Sequence, residues 1–295
     1  MPAAAATLDA SSIETLPLTF REEVVTGSRG LAWLRFLAFG LWCLTGLAMA
    51  FPWVLRGQGV PPRYARFWHG VCLKIVGIEV TVRGAPLSHG SGLLVSNHIS
   101  YLDIIILGSC SLASFVSKAE VRDWPLFGLL AKQQRTVFIE RKRSAAKEQR
   151  ATLESRIRSG DRLILFPEGT TSDGQRTLTF KTSLFDIASI EGNDGLSVPV
   201  QPVTLAYTHL DGIPMGRWLR PLYAWYGDME LTSHMLQWMG VGQVKVEVTF
   251  HEPVRQSDFQ SRKHLAEYCE HRVADGLSLS LTGGHKRLPV PVKRS

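Results

Sequence analysis

Cysteine is scarce and scattered in this 295-residue chain: Cys43, Cys72, Cys110 and Cys269 form no C-x-x-C pair. That spacing argues against a zinc ribbon or a disulfide framework and fits a reducing compartment. Several catalytic signatures are missing. The chain has no G-x-S-x-G elbow to present a serine, no H-E-x-x-H pair for zinc and no G-x-x-x-x-G-K-[ST] loop for a nucleotide. His251-Glu252 runs into Pro253 and lacks a second histidine at helical spacing, so it does not read as a metal site. Internal repeats and low-complexity tracts are absent. Charged residues make up only 20%, with 33 Lys and Arg against 26 Asp and Glu, a formal net charge of +7. A basic balance suits nucleic acid, an acidic membrane surface or an acidic carrier. No nucleic-acid-binding signature accompanies it, so nucleic acid is not an expected partner.

What the chain does contain is apolar: 45% of its residues are hydrophobic, enough for a packed core. Residues 1–28 carry no sustained apolar period and read as a loose arm. From Phe36 to Leu55 there is no charge at all. Twenty residues at the helical rise cover roughly 30 Å, the thickness of a bilayer core. Trp33, Trp42 and Trp53 suit the interfaces, and the basic stretch through Arg56, Arg63, Arg66 and Lys74 suits an interfacial helix over Tyr64–Val76. Residues 29–76 are therefore expected to form a membrane-associated helical segment. From Gly77 onward the pattern alternates. Strands are predicted at Ile78–Val82, Gly92–Ser96, Ser114–Ser117, Thr136–Ile139, Arg162–Phe166, Val198–Ala206 and Val244–Phe250. Helices are predicted at Tyr101–Leu107, Pro125–Lys132, Ser144–Arg158, Thr182–Ile190 and Arg262–Leu279. This alternation predicts an α/β domain over 77–282, a mixed and largely buried β-sheet flanked by helices. Residues 207–243 read as an irregular excursion, and 283–295 as a basic tail.

Two segments hold candidate chemistry. In Val95-Ser-Asn-His-Ile-Ser-Tyr-Leu-Asp-Ile104 an apolar strand gives way to a polar turn and then a helix. His98 sits in the turn and Asp103 in the first helical turn. That pair supplies a base and its orienter without a protein nucleophile, so the attacking group would be a substrate hydroxyl. The same residues have a bland reading: Ser100-x-x-Asp103 matches a capping box that needs no function. The second segment is Leu163-Ile-Leu-Phe-Pro-Glu-Gly-Thr170. Pro167 ends a buried strand, Gly169 permits a tight turn, and Glu168 and Thr170 reach the sheet end that carries His98 if the strands are parallel. A carboxylate there can bind a hydroxylated or cationic acceptor, but on these residues alone an ordinary strand-ending turn with a solvated Glu is the simpler reading. Lys118 and Arg141 follow the strands Ser114–Ser117 and Thr136–Ile139, Lys181 opens a helix after Phe180, and the three suit a basic rim for phosphate or carboxylate. Solvated surface charge is the plain alternative for each.

In order, these segments resemble the lysophospholipid (1-acylglycerol-3-phosphate-type) acyltransferase superfamily. Asn97-His-Ile-Ser-Tyr-Leu-Asp103 is similar to its N-H-x-S-x-x-D block, Val137-Phe-Ile-Glu-Arg141 to the second block, Phe166-Pro-Glu-Gly-Thr170 to the third, and Val198-Pro-Val-Gln-Pro202 to the fourth. The resemblance implies acyl transfer from acyl-carrier protein or acyl-CoA to a lysolipid hydroxyl, with no metal or other cofactor. It implies His98 as base, Asp103 as its partner, and Arg141 with Glu168, Gly169 and Thr170 around the acceptor. It also implies an enzyme at the bacterial inner membrane, its catalytic domain on the cytoplasmic side. Phosphatidate-forming members continue E-G-T-R, whereas Thr171 stands here in place of that Arg. Arg176, farther along, is a candidate substitute for it. Phe166–Gly174 followed by Phe180-Lys181, with Arg220-Pro-Leu-Tyr-Ala-Trp-Tyr-Gly-Asp228 later, looks more like the bacterial lyso-ornithine lipid acyltransferases, and Thr171 with the acidic Asp173 fits their amino-acid head group. A 1-acylglycerol-3-phosphate acceptor is the alternative, and a non-catalytic lipid-binding membrane protein is the alternative of another class. Backbone N–H groups near Gly169 or at the start of the Tyr101 helix are the expected oxyanion donors.

Overall fold

The structure is a computed structural model that describes residues 27–140, 146–192 and 195–284. The predicted arm and basic tail fall almost wholly outside these residues, and so does Arg141. Helix α1 (Arg29–Leu55) begins where Ser28 Oγ accepts from Leu31 N at 3.3 Å. Helix α2 (Pro62–Val76) starts on a proline, whose fixed φ suits the first turn, and ends at Gly77 in the left-handed region. There follow β1 (Ile78–Arg83), β2 (Gly92–Ser96), α3 (Leu102–Cys110), β3 (Ser114–Lys118), α4 (Phe127–Gln133), β4 (Val137–Ile139), α5 (Ala146–Arg158) and β5 (Arg162–Leu165). The chain closes with β6 (Val200–Leu210), β7 (Ile213–Pro214), α6 (Leu231–Met239), β8 (Val244–Phe250) and α7 (Arg262–Thr282).

The strands form one mixed sheet in the order β1-β8-β6-β2-β5-β3-β4, with β7 paired to β6. Strands β6, β2, β5, β3 and β4 are mutually parallel, whereas β8 runs antiparallel to β6 and carries β1 with it. Every residue of β2 is buried, as expected for a strand covered on both faces. Leu94, Ile164 and Val203 pack into one apolar layer with Trp68, Ile106 and Trp238. Leu93, Val95 and Leu163 pack into the other with Ile157, Phe185 and Val273. The two-residue period of the strands thus divides the core into two layers, one under α2, α3 and α6 and one under α5 and α7.

Three expectations need correction. Thr182–Ser189 is 3-10 rather than α-helical. The segment 207–243 is more regular than expected: β6 runs through to Leu210, and α6 follows Glu230, whose carboxylate accepts from Thr232 N and Ser233 N. Ser100 does not act as a side-chain cap. Its hydroxyl is buried with no hydrogen-bond partner among the described residues, and only the Asp103 half of the box forms.

Helix α1 is 27 residues long, yet little of it is buried. Leu34, Leu37, Leu41, Leu44, Phe51 and Leu55 are all more than half exposed. Its other face is fastened to the domain. Arg35 Nη1 donates to the carbonyls of Met239, Val241 and Gly242, which caps the C-terminal end of α6. Tyr64 OH donates to Gly46 O at 2.9 Å, and Trp42 Nε1 to Trp68 O at 3.2 Å. The exposed apolar face therefore belongs to a helix that is fastened to the domain by side-chain hydrogen bonds.

Candidate active site

All the parallel strands point their C-terminal ends at one edge of the sheet, where α/β folds gather their ligands. His98 lies just beyond β2, Lys118 ends β3, and Glu168 lies just beyond β5. Because β2 and β5 are parallel, with Val95 opposite Leu165, the two candidate segments emerge side by side. The sequence-predicted convergence of His98 with Glu168 is thus present, and it rests on strand direction.

His98 is held from several sides. Its Nδ1 lies 2.8 Å from Asp103 Oδ2, and its ring stacks on Phe166 with centroids 3.9 Å apart. Its carbonyl accepts from Ser172 N at 2.8 Å and from Ser172 Oγ at 3.2 Å. Asn97 fixes the turn from the other strand: Nδ2 donates to Leu205 O, and Oδ1 accepts from Leu205 N, both at 2.9 Å. With a carboxylate on Nδ1, the proton is assigned there, and Nε2 is left with its lone pair. Nε2 makes no hydrogen bond among the described residues, and the side chain keeps 19% exposure.

Asp103 is fully buried. Its Oδ2 accepts from His98 Nδ1, Ile99 N (2.6 Å) and Ser100 N (2.9 Å), and its Oδ1 accepts from Tyr207 OH at 3.0 Å. The capping and orienting readings of Asp103 are therefore both realised by one carboxylate. Tyr207 was not legible as a site residue. It lies beyond the end of the β2–β6 pairing, and only the length of β6 carries it to Asp103.

Glu168 is 2% exposed, so the plain alternative of a solvated carboxylate does not hold. It accepts from Leu178 N at 3.0 Å and from His98 N at 3.3 Å. It therefore ties the loop after Gly169 to the His98 turn. Burial pushes its pKa up to about 8, assisted by the nearby charges of Asp103 and Glu270 and opposed by the two backbone donors. The folded chain thus binds this proton more tightly than the unfolded one. The associated stability is complete below about pH 4.5 and is lost as pH rises through about 8. Glu168→Gln is expected to flatten this decline. Thermal unfolding of both proteins across that range checks it, and an unchanged slope in the variant would assign the decline elsewhere.

Gly169 adopts φ +68°, a backbone conformation that favours glycine, and the end of the Lys181 side chain lies over it. Lys181, expected only as part of a basic rim, thus reaches the Gly169 turn. Thr170 is exposed and Thr171 partly buried on the same turn, and Lys118 is exposed at the end of β3. Arg141 lies outside the described residues. The oxyanion donors expected here are mostly committed: Gly169 N donates to Phe166 O, and Ile99 N and Ser100 N donate to Asp103.

A cavity of about 110 Å³ lies among α2, α3, α4 and α6, lined chiefly by apolar side chains that include Phe39, Trp68, Leu102, Phe115, Leu130 and Trp238. Phe115 stacks on Phe166 at 6.4 Å, so a row of rings runs from His98 to the cavity wall. A base, its buried carboxylate and an apolar cavity together can activate a hydroxyl beside a long alkyl chain.

Comparison with known proteins agrees with this chemistry. A family model described as Acyltransferase matches residues 78–206. The lyso-ornithine lipid O-acyltransferase of Brucella abortus is 43% identical over 229 residues, 77% of this chain and 86% of that protein. That of Rhodobacter capsulatus is 45% identical over 208 residues, 70% and 73% of the two chains. The crystal structure of the 1-acyl-sn-glycerophosphate acyltransferase of Thermotoga maritima shares the fold, with a TM-score of 0.57 at 23% identity, over 84% of this chain and 93% of that one. On these grounds the chain belongs to the acyltransferase family and is an O-acyltransferase.

Proposed function

We propose that the protein transfers a fatty acyl group from a thioester donor, acyl-carrier protein or acyl-CoA, to the free hydroxyl of lyso-ornithine lipid. The observation that carries the reaction is the His98–Asp103 pair at 2.8 Å with Nε2 unengaged. In the mechanism, Nε2 takes the proton of the acceptor hydroxyl as its oxygen attacks the thioester carbonyl. Asp103 holds the imidazole in the required tautomer and balances the imidazolium that forms. Collapse of the tetrahedral adduct breaks the C–S bond, and the thiolate recovers the proton from His98. No acyl-enzyme forms, and no metal or other cofactor is required. The apolar cavity beside Phe115 suits an alkyl chain. Lys118, Lys181, Arg141 and the Glu168–Thr171 turn suit the polar ends of the substrates.

The acceptor assignment is supported by the relatives' named activity and by the uncharged Thr171 on the turn. The exposed apolar face of α1, with α2 packed beside it, supports membrane attachment, and the proposed site is the inner membrane with the catalytic domain on the cytoplasmic side. The test offers purified enzyme a labelled acyl-carrier protein with lyso-ornithine lipid and 1-acylglycerol-3-phosphate in parallel. Acylation of the ornithine acceptor is expected. Product from the phosphate acceptor alone would overturn the assignment.

A further inference from the structure

Beyond the His98 turn, two segments far apart in sequence converge on Ile99. The loop after Glu168 lays Gly174 against the Ile99 side chain, and Trp225 N donates to Ile99 O at 3.0 Å. Both segments bring charge with them. Arg217 Nε donates across the gap to Gln175 Oε1 at 2.9 Å, and Gln175 N donates to Asp173 Oδ1 at 3.0 Å. Arg220 is anchored through Nη2 to Met215 O at 3.0 Å. Its Nε is buried and has no hydrogen-bond partner among the described residues. Asp173 and Arg217 are the charges that act on this guanidinium. Asp173 Oδ2 makes no hydrogen bond among the described residues.

Arg220 is only partly buried and Arg217 is exposed, so the outer N–H groups of both are open to a ligand, and a planar carboxylate is the partner that a guanidinium fork fits. Beside it stands a carboxylate with a free oxygen. Two cations alone would accept a phosphate dianion, but Asp173 opposes that charge. The set complements a zwitterion that presents a carboxylate and an ammonium together, as N-acylated ornithine does. We infer that Arg220 and Arg217 bind the head-group carboxylate of the acceptor while Asp173 binds its side-chain ammonium, so that this cluster, next to the base, determines acceptor specificity. The inference rests on the reading of the acceptor as an amino-acid lipid.

Acceptor analogues separate the roles. Purified wild type, Asp173→Asn, Arg220→Gln and Arg220→Lys are assayed for KM and kcat on three hydroxyacyl acceptors. These are the ornithine lipid, its norvaline counterpart, which lacks the ammonium, and the ornithine methyl ester, which lacks the carboxylate. Asp173→Asn is expected to raise KM about 10-fold for the ornithine acceptor and the methyl ester but not for the norvaline acceptor. Arg220→Gln is expected to raise it similarly for the ornithine and norvaline acceptors but not for the methyl ester, with partial recovery in Arg220→Lys. Thermal unfolding identifies a variant that fails to fold, and the norvaline and methyl ester arms on wild type then decide: KM equal to that of the ornithine acceptor overturns the inference. Variants that affect all acceptors alike also overturn it, while wild-type activity on lyso-ornithine lipid leaves the proposed reaction standing. Wild-type inactivity on that lipid, with activity on 1-acylglycerol-3-phosphate, overturns the acceptor reading itself.

Discussion

His98→Ala is expected to lower the rate of acyl transfer by about 10²–10⁴-fold, the usual contribution of a positioned general base. The loss should fall on kcat, because the imidazole acts on the proton that moves in the transition state and not on the lipid's bulk. Folding should survive the change. The side chain keeps 19% exposure and makes one side-chain hydrogen bond, to Asp103. In its absence Asp103 still accepts from Ile99 N, Ser100 N and Tyr207 OH, so no buried donor is stranded. Single-turnover assays with saturating donor and acceptor, alongside thermal unfolding, separate the two effects. A protein that only bound and presented lipid would handle its ligand equally well with alanine at this position. A hydrolase using the same cavity would release free fatty acid in place of acylated product. Undiminished transfer by the variant would remove His98 from the chemistry altogether.

The sheet was legible in the sequence because its strands are short apolar runs ending in breakers. Gly92–Ser96 and Val244–Phe250 match the structure residue for residue. Thr182–Ile190 misled because it has a helical apolar spacing, while the fold winds it more tightly as a 3-10 segment against α7. Segment 207–243 misled in the other direction: its Trp, Met and Tyr residues read as irregular, yet Trp238, Met239 and Tyr223 are core. At the site, residues on one contiguous stretch were legible and residues brought in by tertiary pairing were not. His98 and Asp103 are five apart, so their meeting across a strand–turn–helix corner follows from local geometry. Tyr207 and Ser172 reach the same turn from distant segments, and Asn97 spends both ends of its amide on Leu205. No periodicity encodes such long-range bonds. The same reasoning explains Glu168: its place after a strand was readable, but its burial depends on the loop that folds back to give Leu178 N.

Asp103 is the residue for which charge and geometry must be pulled apart, and two substitutions do this. Asp103→Ala removes the acceptor for Ile99 N, Ser100 N, Tyr207 OH and His98 Nδ1 together. Each buried donor left unsatisfied costs about 1–3 kcal/mol, so a stability loss of about 3 kcal/mol or more is expected along with loss of activity. Asp103→Asn behaves differently. Its remaining carbonyl oxygen can take the three donors that Oδ2 now serves, and its amide can face Tyr207, whose hydroxyl rotates from donor to acceptor. The turn should therefore persist, with a stability loss of about 1 kcal/mol. What asparagine lacks is the negative charge that balances the imidazolium as His98 takes the acceptor proton. The expected outcome is a stable protein whose kcat is lower by about 10²–10⁴-fold. Unfolding midpoints and kcat measured on the same preparations distinguish the two roles. If Asp103→Asn keeps full kcat while Asp103→Ala is merely unstable, Asp103 holds the turn and contributes no charge to the reaction. If Asp103→Asn folds and fails, the carboxylate that caps this corner also sustains the base, and its full burial beside an exposed imidazole edge is what allows it to do both.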